Sequence, residues 1–195
     1  RPGTNVAVLS MMLYYIVTEN KLDQSFIQDR TEGFEDFKAN ILNLNIEELE
    51  SVSGVPREQA KAAALAYASA PLAMSFHGLG VTEHFQGTYT VMLIADLAMI
   101  TGNIGKPGCG VNPLRGQNNV QGMADMGAQP YQAAGYYDVT LPEIKAKFST
   151  FYGVEVPSEV GLKIPEMYNA AIAGQFKALW IMGDDLVQSD PTTNK

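Results

Sequence analysis

Apolar residues recur at mixed spacings of three and four through Val8, Met12, Tyr15 and Ile16, which marks a helix face turned toward a core. Thr4 stands just before this run, so a helix capped by Thr4 is predicted from Asn5 to Glu19. Asp23 heads a short helix through Asp29, Phe34 to Leu42 reads as an amphipathic helix, and Asn45 caps one more turn. Pro56 suits the first turn of a helix, and the Ala-rich run from Arg57 to Ser69 has high helix propensity until Pro71 stops it. The pattern then changes. Leu72 to Phe76 is a short apolar run that predicts a strand, leading into His77-Gly78-Leu79-Gly80 and a helix from Gln86 to Thr101 that Gly102 can close.

From Asn103 to Pro130 the chain is dense in Gly, Asn and Gln without sustained periodicity, so a long irregular segment with one short strand is expected. Loops of that length are usually functional. Helices are predicted at Pro142 to Tyr152 and Pro165 to Ala173. Lys177 to Met182 (KALWIM) reads as a buried strand ending in Gly183-Asp184-Asp185, a second strand-and-loop unit of the kind seen first at Leu72. The fold class is therefore α/β, with helices around a small, mainly parallel sheet. Two strands do not make a stable open sheet, so further strands are expected outside these residues.

The chain has 195 residues, 46% hydrophobic and 17% charged, which suits a folded chain and not a disordered one. Its formal net charge of -8 argues against a general attraction to nucleic acid or anionic membrane surfaces. The longest apolar stretches, Val6 to Val17 and Val91 to Ile100, are interrupted and too short to span a bilayer, and no signal segment opens the chain. A single cysteine, Cys109, leaves no internal disulfide and too few thiolates for a zinc or iron-sulfur site, so the cytoplasm is the default compartment. Cys109 is expected to be a small packed residue, and no metal ligand is assigned. The chain starts at Arg1-Pro2-Gly3 without methionine and stops at Thr192-Thr193-Asn194-Lys195, so both ends read as cut.

Two segments could carry chemistry. AMSFHGLGVTEHFQG has the form of a nucleotide site, because glycines after a strand let backbone NH groups approach a phosphate. It lacks a proper GxGxxG, and glycines at a strand exit are more often plain turns. His77 and His84 are the only histidines, a residue type that more often packs or hydrogen-bonds than catalyses. The sharper segment is GNIGKPGCGVNPLRGQNNVQGMADMGAQP, from Gly102 to Pro130. In an arbitrary loop its amides would be turn formers and Arg115 a surface ion-pair partner.

GNIGKPGCGVNPLRGQNNVQGMADMGA resembles the corresponding stretch of formate dehydrogenase catalytic subunits, in the dimethyl sulfoxide reductase superfamily. The resemblance runs essentially end to end, through RPGTN, TEGFEDFK, GLGVTEHFQGT, LRGQNNVQG and IMGDDLVQSD. It implies an internal piece of the subunit: residues 1–117 would be the C-terminal part of one dinucleotide-binding-like α/β domain and 118–195 part of its neighbour.

It further implies that Arg115 lies beside a molybdenum or tungsten centre and holds the carboxylate of formate, with Gln117 lining the same pocket. The family binds a bis-molybdopterin guanine dinucleotide. By resemblance Gly80 and Glu83 contact one dinucleotide, while Asp185 and Ser189, with Gly183 before them, contact a guanosine portion. The Asp185 carboxylate can accept two hydrogen bonds from a guanine edge. Relatives commonly carry glutamine where this chain has Glu83, and an ionised glutamate cannot donate. The metal ligand with its neighbouring histidine, the cysteines of a 4Fe-4S cluster and the C-terminal pterin-binding domain belong to segments not present here, so the isolated fragment is expected to be inactive. Implied partners are formate, the rest of the same subunit and electron-transfer subunits. The alternatives are another molybdopterin oxidoreductase acting on a different small substrate, and a non-catalytic dinucleotide-binding module.

Overall fold

A computed structural model describes residues 1–190, which divide into two compact units, Arg1–Asn118 and a second beginning at Asn119. The first unit opens with α1 (Asn5–Thr18), followed by α2 (Gln24–Arg30), α3 (Phe34–Leu42), α4 (Ile46–Ser53) and α5 (Arg57–Ser69). Strand β1 (Met74–His77), the short α6 (Leu79–Thr82), α7 (Gly87–Ile100) and β2 (Gly110–Pro113) complete it.

Helices α1 and α7 are apolar on nearly every side, as helices central to a core must be. Helix α1 packs on α3, α4, α5 and α7. Leu13 and Ile16 are fully buried, in a cluster with Val17, Ile27, Ile41, Ala64, Leu97 and Ile100. The helix starts are set locally. Asp23 Oδ1 accepts from the Phe26 amide at 3.0 Å, and Asn45 Oδ1 from the Glu48 amide at 3.2 Å, so both cap as the sequence suggested. Thr4 does not, because its hydroxyl donates instead to the Arg1 carbonyl at 2.6 Å. The turn expected after Asn45 extends to the eight residues of α4, closed by Gly54 at φ 72°.

The sheet of this unit is the parallel pair β1–β2, in register from Met74 opposite Gly110 to His77 opposite Pro113. An α/β architecture around a small parallel sheet is thus present as expected. The strand foreseen in the irregular segment is β2.

The second unit holds α8 (Val120–Asp125), the two-residue strands β3 (Gln132–Ala133) and β4 (Tyr137–Asp138), α9 (Pro142–Tyr152), α10 (Ile164–Ile172) and α11 (Leu186–Ser189). Strands β3 and β4 pair antiparallel. Pro142 sits in the first turn of α9 and Gly153 closes it at φ 70°, the usual asymmetry of helix ends. Phe148 stacks edge-on against Tyr137, whose ring also lies under Lys147 Nζ at 3.9 Å.

The buried strand expected at Lys177 to Met182 is not formed. Those residues take no regular structure, and Trp180 and Met182 are 88% and 78% exposed. A strand exists only through its ladder, and among the described residues no neighbouring strand pairs with this run. The repeat of the first strand-and-loop unit fails with it. Helix α8 and the β3–β4 pair were not foreseen, since Gly, Asn and Gln between them hide any period.

Candidate functional site

Because β1 and β2 run parallel and end together, the chain leaves both strands at the same edge of the sheet, where α/β proteins usually bind ligands. The Leu114 amide donates to the His77 carbonyl at 2.7 Å, one residue beyond the last paired position, so the turn after β2 is pinned to the end of β1. Farther back, Asn112 Nδ2 donates to the Ser75 carbonyl at 3.3 Å, and Ser75 Oγ meets the Tyr67 hydroxyl of α5 at 3.2 Å. The two exit loops also touch. A Cβ placed on Gly116 would lie 3.0 Å from Leu79 Cδ1, so the first turn of α6 approaches the second loop as closely as a glycine permits.

Gly80, within α6, and Glu83, directly after it, belong to the connection that leaves β1, Arg115 and Gln117 to the loop after β2, and all four are exposed. The structure therefore brings the loops of these four residues to one edge. Around Gly80 nothing stands within 4 Å of where a Cβ would be, while the neighbouring Gly87 admits none because the Thr82 carbonyl fills that space. Among the described residues Arg115 has no ion-pair or hydrogen-bond partner. A cation left free at a strand exit can take an anion from solution.

Gly183, Asp185 and Ser189 belong to the second unit. Gly183 has φ 71°, and Asp185 stands at the N-terminus of α11, where its carbonyl accepts from the Gln188 and Ser189 amides at 3.0 and 2.9 Å. Its carboxylate makes no cap bond and is exposed.

His77 is a packed residue at 7% exposure, and its Nδ1 has no partner among the described atoms. His84 is exposed. Cys109 is half-buried, its Sγ donating to Asn103 Oδ1 at 3.3 Å. The residue that sequence reasoning missed is Asn103, 3% exposed, whose Oδ1 also accepts from the Ala73 amide at 2.9 Å while its Nδ2 donates to Thr101 Oγ1 at 2.9 Å. It fastens the end of α7 to the start of β1. Its position directly after the left-handed Gly102 was the available signal. Asp23 also faces this corner. The Phe26 amide, then the Ser25 hydroxyl, hold its carboxyl below the usual carboxylate range.

The donors at the strand exits suit a carboxylate or phosphate. Among the described residues no group of three or more His, Cys, Asp or Glu could hold a metal ion. No described helix is long and apolar enough to cross a membrane.

The molybdopterin oxidoreductase family model matches residues 1–195. The chain is 43% identical over 189 residues to formate dehydrogenase H of Escherichia coli, covering 96% of this chain and 26% of that protein. It is 44% identical over 190 residues to subunit alpha of formate dehydrogenase 1 from Methanococcus maripaludis, covering 97% and 28%. A putative formate dehydrogenase of Bacillus subtilis, YrhE, is 34% identical over 194 residues, covering 100% and 20%. The chain thus spans about a quarter of the length of the curated relatives it matches.

Proposed function

From the premise that this chain belongs to the molybdopterin oxidoreductase family, we propose that it is part of a formate dehydrogenase catalytic subunit that oxidises formate to carbon dioxide. The observation that carries this reading is Arg115, an unpaired cation on a loop pinned to the exit of a parallel strand pair. Its planar fork can grip both oxygens of a small carboxylate, which a lysine could not do with the same geometry. Holding formate in place turns a bimolecular encounter into a positioned one, and the guanidinium offsets the substrate charge. The guanidinium offers donors and no acceptor, so Arg115 binds and orients and does not serve as the base. Gln117, two residues on, offers an amide donor to the same pocket.

The cofactor in this reading is bis-molybdopterin guanine dinucleotide with molybdenum or tungsten, which when bound supplies the two-electron sink for formate. Gly80 would let backbone approach one dinucleotide and Glu83 would accept from it. Gly183, Asp185 and Ser189 would meet a guanosine portion, Asp185 through an exposed carboxylate that no cap bond occupies. Residues 1–117 would then be the end of one dinucleotide-binding-like domain and 118–195 part of the next. A 4Fe-4S cluster held by other segments, electron-transfer subunits and a cytoplasmic setting complete the proposal.

In the whole protein, Arg115→Ala should raise the KM for formate and lower kcat/KM by about 10- to 100-fold, the worth of a charge-assisted contact. Unchanged kinetics would remove Arg115 from the site. A metal-loaded protein inert to formate but active on another small anion would leave the family in place and replace the substrate.

A further inference from the structure

We propose that Leu79 is a positioning residue for the substrate arginine, acting through Gly116; the inference rests on the formate reading of Arg115. Arg115 has no hydrogen-bond or ion-pair partner among the described residues, so its place is set by whatever holds the residues on either side of it.

On the near side, Leu114 is tied to the end of β1 through the His77 carbonyl, and its own carbonyl lies 3.5 Å from where a Cβ on Gly78 would stand. On the far side, Gly116 makes no hydrogen bond among the described residues. A Cβ on Gly116 would lie 3.0 Å from Leu79 Cδ1 and 3.7 Å from Leu79 Cγ, and apart from the chain neighbours no other residue comes within 4 Å of that point. Gly116 does not take a left-handed backbone. What its missing side chain provides is therefore room to lie against Leu79.

Leu79 is itself anchored. It opens α6, whose turn is closed by the Val81 and Thr82 amides on the Gly78 carbonyl at 3.0 and 3.2 Å and by the Glu83 amide on the Leu79 carbonyl at 2.9 Å. The other end of α6 sits on α7, where the Thr82 carbonyl fills the space beside the buried Gly87. Contacts thus run from a core helix through α6 and Leu79 to Gly116, the residue next to Arg115. At 40% exposure Leu79 adds little to the core, so its loss should leave the fold intact. The arginine's place is another matter, because a displacement of about 1 Å at a positioning contact can cost up to a hundred-fold in rate.

The test measures formate oxidation by the whole protein with an artificial dye as electron acceptor, normalised to bound metal. Leu79→Ala should raise the KM for formate about three- to ten-fold with kcat held, since a loosened arginine grips ground state and transition state less well alike. Leu79→Met, which restores an apolar side chain of similar volume, should bring KM back to within about two-fold of the unmodified protein. In the Arg115→Ala background, Leu79→Ala should change nothing further, because no guanidinium is left to place. A fall in kcat at unchanged KM, or an effect of equal size without the arginine, would overturn the proposal, since Leu79 would then act on something other than Arg115. A silent Leu79→Ala beside an impaired Arg115→Ala would overturn it and leave the formate reading standing, whereas a silent Arg115→Ala would remove both.

Discussion

Asp96, on α7, is half-buried, and burial raises its carboxyl above the usual carboxylate range. The sign of its effect follows from proton binding. With its folded pKa above the ordinary 3.8, the folded state holds the proton more tightly than the unfolded chain, so stability falls as pH rises from about 3.8 through the raised value and stays low above it. Asp96→Asn removes the penalty of a charged group in that setting. Thermal melts should therefore show a higher Tm for the variant at pH 7, with the gain vanishing near pH 3; an equal gain at both pH values would refute a titration origin. Neither Asp96 nor Asn103 was legible from the sequence, for a shared reason. A polar residue inside an apolar helix, or just past its end, reads as solvent-facing until the packing around it is known. Arg115 was singled out by a motif of several residues and not by its own chemistry.

At the level of elements, Gly102 has two jobs. It takes φ 65° to end α7, and a Cβ there would run into the Asp23 carboxylate. Asp23 is itself bound to this corner by its amide, which donates to the Ile100 carbonyl at 2.8 Å, so the start of α2 and the end of α7 are one joint. Gly102→Ala should cost on the order of 1–2 kcal/mol in denaturant melts, from the left-handed backbone and the crowding together. Adding Asp23→Ala should cost less than the sum of the single changes, since it frees the space the methyl needs. Additive losses would leave backbone strain as the whole effect. Helices with polar caps or terminal Pro and Gly were read almost to the residue, as with α2, α3 and α9. Those signals are local, and local signals survive in a sequence. The Lys177 to Met182 run shows the opposite case, because apolar composition says that a segment wants covering but not whether another strand lies beside it.

Across the whole molecule, burial is uneven. The first unit holds nearly all the described core, while in the second Ala124 is the one hydrophobic residue that reaches the buried class among the described residues. Exchange of amide hydrogens in the separate 195-residue chain should follow that division: slow at Leu13–Val17 and Ile94–Ile100, fast from residue 177 to 182, where no ladder protects the backbone. Slow exchange at 177–182 would mean that a pairing partner forms within the chain. The hydrogen bond from Leu114 to His77 has a consequence in time as well as in space. Positions 74 and 110 are separated in the chain by α6 and α7, so the pairing is non-local, and non-local pairing is slow to close. The loop that bears Arg115 hangs on that closure. During synthesis, every residue of the loop can leave the ribosome and still have no fixed place until the crossover is complete. A mutation that merely slows the docking of α7 would then delay the placing of that loop without changing any atom of the finished fold.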